Sequence, residues 1–455
     1  MKKSLQPKLP AERSQASLIT KLCEDHADFK TAVHGEYTVY YFRTLIMNER
    51  LQESLAHTPH QIYYEPYDSE TVKEKLLKGF CAVVGKDGRL GMLNVSSNPM
   101  RDPTPPESEG TIVGPQLALN ENLDHSVGLI RQALRTTDLR VIQHKIGTIK
   151  RRVRIVYLES KVNKEHLAQI SQKIAGTGDQ VEYLYDTMLL NELITGHPYS
   201  VFPQLLETER LDRICSYLVG GKIAILSDGN PNALIGPHTF HEAFQSAEDY
   251  YINWLSGTFI RLLRYAGFII GLFITASYVA VMSYHYLIIP ADLMVIIAGS
   301  RARVPFSPLL EALLLEFAVE VLREAGSRLP TRVGQTVGIV GGIVIGQAAV
   351  LAGLTSNILI IIVSLSMLAT LLIPSFPLSN TVRVLRFTLI LAAGFIGGLG
   401  LAVGAVLLLI YLARLESFGV PYLSPFGPLR PADLKDSLIR APFRYNRDKP
   451  TSSES

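Results

Sequence analysis

At 455 residues the chain has room for about three domains. A formal net charge of +3 lacks the strongly basic balance of a nucleic-acid binder. The three cysteines, Cys23, Cys81 and Cys215, lie far apart with no CxxC, which argues against a disulfide framework and for reduced thiols in a reducing compartment.

The opening MKKSLQPKLPAERSQ has no apolar h-region, so no secretory signal is expected, and Met1 to Trp254 contains no spanning segment. That head is expected to stay in the cytoplasm. It reads as α/β. Glu36 to Tyr41 is strand-like, and Ser69 to Lys78 is helix-forming and stops at Gly79. Phe80 to Val84 and Gly91 to Val95 flank a Lys86-Asp87-Gly88-Arg89 turn, a hairpin signal because Asp-Gly accepts positive φ. Ser96 to Glu109, rich in Pro and Ser, reads as an exposed loop. Leu123 to Leu134 has helical spacing. Arg152 to Glu159 alternates at period two. Lys164 to Ala175 reads as an amphipathic helix closed by Gly176, Val181 to Tyr185 as a strand, and Glu209 to Leu218 as a helix ending at Gly220-Gly221. Lys222 to Leu226 runs into a second hairpin turn, Ser227-Asp228-Gly229-Asn230. The expected division is two α/β subdomains, 1–137 and 138–257.

A helical transmembrane domain is expected over 258–415, and a polar tail over 416–455. Tyr265 to Ile289 is charge-free except for His285, and about 25 residues suffice to cross with tilt. Between Val333 and Val382 there is no Asp, Glu, Lys, Arg or His, and that run holds two candidate spans, Val333 to Leu354 and Ile358 to Ile373. Phe387 to Tyr411 is a further charge-free stretch. The acid-bearing segment Leu309 to Ala325 either spans, giving five crossings and an external tail, or lies on the surface, giving four and an internal tail; the arginine distribution does not decide between them.

Within that segment Glu316, Glu320 and Glu324 fall at i, i+4 and i+8 on one helix face, with Glu311 on the other, and Arg323 is placed to pair with Glu320. These carboxylates either line a water-filled path or belong to an interfacial amphipathic helix with its acids in water. Gly334, Gly338, Gly342 and Gly346 repeat every four residues, and Gly394 and Gly398 repeat that spacing on the last helix. A smooth stripe lets helices approach closely, either between copies of the chain or inside one copy. Val340 and Val344 lie opposite the first stripe. In the head, His57-x-x-His60 and His238-x-x-His241 lack a zinc-protease Glu and a nearby Cys, so surface histidines and no metal are expected. Lys150 to Arg154 reads as a solvated strand edge. No GxGxxG, P-loop, GxSxG or catalytic carboxylate pair is present, so neither a cofactor nor an enzymatic activity is expected.

Several stretches are familiar in combination. They are Phe202-Pro-Gln-Leu-Leu-Glu-Thr-Glu-Arg-Leu-Asp-Arg with Gly220-Gly-Lys-Ile-Ala-Ile-Leu-Ser-Asp-Gly-Asn-Pro231; Glu248-Asp-Tyr-Tyr251 with Ile260-Arg-Leu-Leu-Arg264; Arg301-Ala-Arg-Val-Pro-Phe306 with Arg323-Glu-Ala-Gly326 and Val337 to Ala349; and Ser417-Phe-Gly-Val-Pro-Tyr422. Over roughly residues 110 to 430 the chain resembles the A subunit of GerA-type spore germination receptors. Stage V sporulation protein AF is a close relative that these motifs do not separate. One departure is Leu211, where the family pattern usually has Pro, and a softer turn is expected there. The resemblance implies a multi-pass protein of the spore inner membrane working with a transporter-like B subunit and a lipoprotein C subunit, and a homo-oligomeric ring in the lipid that forms a nutrient-gated cation channel. In such a ring Glu316, Glu320 and Glu324 would stack as acidic rings, and Val340 and Val344 would supply an apolar gate. The alternative is a non-conducting adaptor that couples a germinant-binding partner to downstream release.

Overall fold

The computed structural model describes residues 19, 27–46, 48–57, 69–85, 89–95, 106, 109–111, 113–178, 181–328, 341–342, 344, 346–430 and 434–442. Near the N-terminus, β1 (Phe29–His34), β2 (Tyr37–Phe42), β3 (Phe80–Val84) and β4 (Leu90–Asn94) form an antiparallel meander in that order, with helices α1 (Asn48–His57) and α2 (Ser69–Leu77) between β2 and β3. β3 and β4 pair antiparallel as the expected hairpin requires, and its Lys86-Asp87-Gly88 turn lies outside the described residues.

The second sheet explains most of the head. Strands β5 (Leu139–Ile146), β6 (Arg151–Leu158), β7 (Leu206–Thr208), β8 (Ile223–Ser227) and β9 (Ala233–Gly236) pair antiparallel in the order β5-β6-β8-β9-β7. Every residue of β6 from Val153 to Leu158 is buried because both faces of the sheet are covered. The period-two alternation sorts them. Val156 and Leu158 join Leu123, Val127 and Ile130 of α3 (Leu123–Leu134) and Ile214 and Leu218 of α6 (Leu211–Val219). Val153, Ile155 and Tyr157 join Ile170 and Ile174 of α4 (Lys164–Gly176) and Leu190 and Ile194 of α5 (Thr187–Ile194). Each such fully buried side chain contributes about 1.5–3 kcal/mol of transfer free energy. Asn122 caps α3 by accepting from the amides of Asp124 and His125, and Asn163 caps α4.

Three expectations for the head are corrected. Val181 to Tyr185 is irregular rather than a strand: it runs past the end of the sheet, where its backbone carbonyl at Glu182 accepts from Ile149. Arg151 to Arg154 begins an interior strand, not an edge, with β5 on one side and β8 on the other. Leu211 is the first residue of α6, with Arg210 at its N-cap, so the helix starts two residues after the Glu209 expected. The Ser96–Glu109 loop falls almost entirely outside the described residues.

The C-terminal half is helical: α7 (Trp254–Tyr284), α8 (Ala291–Arg301), α9 (Pro308–Ser327), α10 (Asn357–Leu371), α11 (Phe376–Ile396) and α12 (Gly398–Arg414), with a short α13 (Leu434–Ser437) in the tail. Among the described residues, α7 and α11 are long and apolar enough to cross a bilayer by length and composition; α10 and α12 are apolar but shorter. At 31 residues α7 is about 46 Å long.

Contacts between the helices give their directions. Gly267 of α7 lies against Ala369 and Leu372, Gly271 against Ser366 and Thr370, and Tyr278 against Ser356, so α7 and α10 are antiparallel. Leu309 meets Gly394, Glu316 meets Arg386 and Glu320 meets Arg383, so α9 opposes α11. Gly341 lies beside Leu322 and Gly353 beside Arg303, so these two described glycines flank α9 in the opposite order along the chain. Among the described residues, α7 and α11 thus run one way and α9, α10 and α12 the other. After α12 the chain is back at the head, where β10 (Glu416–Ser417) and β11 (Val420–Pro421) form a small hairpin. Ser417 accepts from the His238 amide and donates to the Gln204 carbonyl, and Phe418 enters the core beneath the five-stranded sheet. Head and tail share one end of the bundle.

The stretch Phe387 to Tyr411 is not one continuous helix. It breaks at Gly397, whose φ of 72° and ψ of −146° suit only glycine, and α12 folds back along α11. A charge-free run specifies burial in an apolar phase but not where the helix turns.

Candidate functional site

Buried ionisable side chains are costly, and among the described residues three clusters of them lie at the head–bundle junction, just inside the head and inside the bundle. The first sits where head meets bundle. Two short 3-10 turns, Phe240–Phe244 and Ala247–Tyr250, lead into α7, and each is closed by a capping box (Thr239 with Glu242, Ser246 with Asp249). The second turn aims Asp249 at α7. Asp249 is fully buried and accepts from Arg261 at 3.2 Å and from Arg264 at 2.7 and 2.9 Å. Arg264 also donates to the Phe244 carbonyl, and Arg261 to the backbone of Asp436 in the tail, whose carboxylate takes the Tyr250 hydroxyl at 3.1 Å. One carboxylate thus ties the head to the long helix, and the same arginine ties in the tail.

The second cluster lies just inside the head. Lys222 donates to Glu242 at 2.5 Å and to the Pro237 carbonyl at 2.7 Å; the Thr239 amide donates to the same carboxylate, and His238 Nδ1 lies 3.2 Å from it. Burial pushes the Glu242 carboxyl up, but the Lys222 ammonium and the His238 bond outweigh it and hold Glu242 well below the usual carboxylate range. Burial holds His238 below the ordinary histidine value. His238 is therefore not the surface histidine expected: the Phe240–Phe244 turn folds it into the head, where Glu242 partners it. His57 and His60 are not described at the side-chain level.

The third cluster is inside the bundle. Glu316 is 1% exposed and its carboxylate accepts from Arg386 of α11 at 2.9 Å and from Thr275 of α7 at 2.9 Å. Arg386 also donates to the Gly271 carbonyl at 2.7 Å and to Thr370 of α10 at 2.5 Å. Two side chains so bridge four helices. Toward the far end, Glu311 accepts from the Ser356 amide at 2.6 Å and from Thr355, at the positive end of α10, with Arg301 at 3.5 Å.

The acids of α9 therefore do not form one wet stripe. Glu316 is locked into the core, Glu320 pairs with Arg383 at 3.1 Å rather than with Arg323, and only Glu324 is largely exposed, paired with Arg328. The i, i+4, i+8 spacing puts the three in line, but the packing of α11 against the first two covers them. Val344 is 57% exposed, and among the described residues a Cβ added at Gly342 or Gly346 would meet nothing within 4 Å, so there these positions are open to a neighbour. Val340, Gly334 and Gly338 lie outside the described residues. Gly394 and Gly398 pack within the chain: a Cβ there would strike Leu309 and His285 respectively. Sequence reasoning missed Asp249, Glu242, Asp436 and Arg386 as partners. The available signals were Arg261 and Arg264 at i, i+3 on a helix that then turns apolar, and Arg386 as the last charge before Arg414.

Cys81 is buried and Cys215 half-buried, both as free thiols. Among the described residues no three His, Cys, Asp or Glu side chains come together as metal ligands would.

A sequence profile described as Bacillus/Clostridium GerA spore germination protein matches residues 15–452, so the resemblance extends well beyond 110–430. Spore germination protein GerQA of Bacillus cereus is 42% identical over 93% of this chain and 88% of its own length. Spore germination protein A1 of Bacillus subtilis is 39% identical over 82% of this chain and 78% of its own. The Bacillus subtilis membrane protein YfkQ is 34% identical over 96% and 90%. Among solved structures, the N-terminal domain of the A subunit of the Bacillus megaterium spore germinant receptor GerK3 aligns at 18% identity, covering 50% of this chain and 95% of that one, with a TM-score of 0.36.

Proposed function

The chain belongs to the Bacillus/Clostridium GerA family of spore germination proteins, and from that membership we propose that it is the A subunit of a germinant receptor, a multi-pass protein of the spore inner membrane that turns nutrient recognition by its partners into movement of its helical bundle and so into cation release. The observation that carries this reading is the Asp249 cluster. A head held to its bundle only by flexible chain would transmit nothing; here a buried carboxylate clamps two arginines of the first long helix, so head, helix and tail move together. The head lies on the cytoplasmic side in this reading, with Arg261 and Arg264 at the inner face. A transporter-like B subunit and a lipoprotein C subunit complete the receptor.

Copies of the chain assemble as a ring through the face carrying Val344, Gly342 and Gly346, which are open to a neighbour. Such a pore is gated by apolar side chains rather than by Glu316, whose charge is already matched within the chain. The adaptor reading draws support from that same pairing, because it leaves Glu324 as the one largely exposed acid of the three on α9. Ion flux through the reconstituted receptor in liposomes, with and without germinant, separates the two: germinant-dependent flux that Asp249→Asn abolishes while assembly persists is expected. No flux from an assembled, germinant-responsive complex overturns the channel and leaves the adaptor.

A further inference from the structure

The five-stranded sheet has two ends. At one, Lys222 and Pro237 face the bundle junction; at the other, the β5–β6 turn, the β8–β9 turn, the loop before α3 and Tyr183 surround an open pocket of about 830 Å³. Its lining includes four cations, Lys145, Lys150, Arg151 and Arg152, against two carboxylates, Glu121 and Asp228. The arginines are fixed in place. Arg152 is bonded to Asp228 and Asp124 at 3.0 Å each; Arg151 donates to the Asp228 carbonyl and to the Tyr183 hydroxyl and stacks on the Tyr183 ring. The lysines are not. Both are exposed, and neither has a side-chain hydrogen bond or ion pair among the described residues. Lys145 stands directly opposite Arg152 across the β5–β6 ladder, where like charges repel.

The turn that carries Lys150 is held rigidly. Lys150 adopts a left-handed φ of 56°, its amide bonds to the Gly147 carbonyl at 2.9 Å, and the neighbouring Ile149 amide bonds to Glu182. At Gly147 a Cβ would fall 2.8 Å from the Glu182 carbonyl, so only glycine allows this close approach. A pre-set turn bearing unneutralised charge is what an anion site needs. The α3 amides nearby are already capped by Asn122, so the site rests on the side chains.

We propose that this pocket binds a small dianion of the phosphate class between the ammonium groups of Lys145 and Lys150, with Arg151 and Arg152 as the charged floor. The ligand is soluble rather than a headgroup of the protein's own bilayer. The length of β8 separates pocket from bundle junction, about 15 Å, beyond the Debye length at physiological salt.

Calorimetric titration of the full chain in zwitterionic nanodiscs with inorganic phosphate, against chloride at matched ionic strength, tests this. Saturable binding of one phosphate per chain is expected. Lys145→Ala and Lys150→Ala should each weaken it about tenfold, the loss of one charge-assisted bond. Without phosphate, Lys145→Ala should melt no lower than the parent, because it relieves repulsion at an exposed position. Binding that chloride reproduces, or that survives both substitutions, overturns the site. Nanodiscs containing phosphatidylglycerol should give the same curve; weakened phosphate binding there would mean that a headgroup fills the pocket and would overturn the soluble ligand.

Discussion

Glu316 and Arg386 exchange water for each other, and each ion gives up several kcal/mol of hydration in doing so. The arrangement holds because no donor or acceptor around the carboxylate is wasted: Thr275, Thr370 and the Gly271 carbonyl take up what the pair leaves over. Glu316→Gln strands the arginine charge, and a loss of about 3–5 kcal/mol is expected, read as a fall in the melting temperature of the detergent-purified chain. The double variant Glu316→Leu/Arg386→Leu strands no charge and should recover most of it; a double variant as unstable as the single would sink the argument. In the head, titration works the other way from a surface. His238 has a folded pKa below its usual 6.5, so below that pH the unfolded chain binds the proton and the native chain does not. Glu242 has a depressed pKa, so its contribution is present above 4.5 and is lost as pH falls further. Both signs agree: stability falls as pH drops from about 6.5 towards 4.5 and beyond. The upper limb should flatten in His238→Asn, measured as melting temperature against pH.

At the scale of elements, the sequence was informative about where helices and strands are and poor on where they stop. The α3, α4 and α9 segments fall within two or three residues of expectation, because capping residues and apolar spacing are local signals. The break between α11 and α12 was not legible, because Gly397 sits in a run of small and apolar residues where a glycine is unremarkable. What singles it out is its backbone, in a region closed to side chains, where a Cβ would also fall 2.9 Å from the Tyr284 ring. Gly397→Ala therefore combines backbone strain of about 1–3 kcal/mol with a displaced tyrosine. A lower melting temperature is expected, together with loss of the Tyr284 hydroxyl bonds to Gly394 and Phe395 at the turn; a variant as stable as the parent would show that the turn is not strained. The paired α7 glycines tell the same story. Gly267 and Gly271 were not part of the expected stripes, yet a Cβ at either would fall within 3 Å of α10, at Ala369 and Thr370 respectively.

For the whole molecule the decisive feature is that the tail comes back. Leu415, Phe418 and Tyr422 are buried, and Asp436 meets Arg261 and Tyr250, so the chain after α12 braces the first long helix against the head. Asp436→Ala removes a carboxylate from a partly buried network, and faster proteolytic separation of head from bundle is expected; an unchanged cleavage rate would show that Asp249 holds the junction alone. The tail packs on the head, and the segment carrying Glu316 lies antiparallel to α11 inside the bundle, although its acids made it read equally well as a surface helix.

Period-two and helical apolar spacing, two Asp-Gly turns and long charge-free runs were enough to read an α/β head, an apolar helical half and the family to which both belong. Those properties are written in neighbours a few residues apart, and local chain sterics and hydration act over that distance. The partners of the buried charges lie from 12 to 175 residues away along the chain: Asp249 with Arg261, Glu316 with Arg386, Arg261 with Asp436. Only packing decides such meetings, because a desolvated charge must find its complement in space, and nothing in the spacing of one helix says which other helix will supply it.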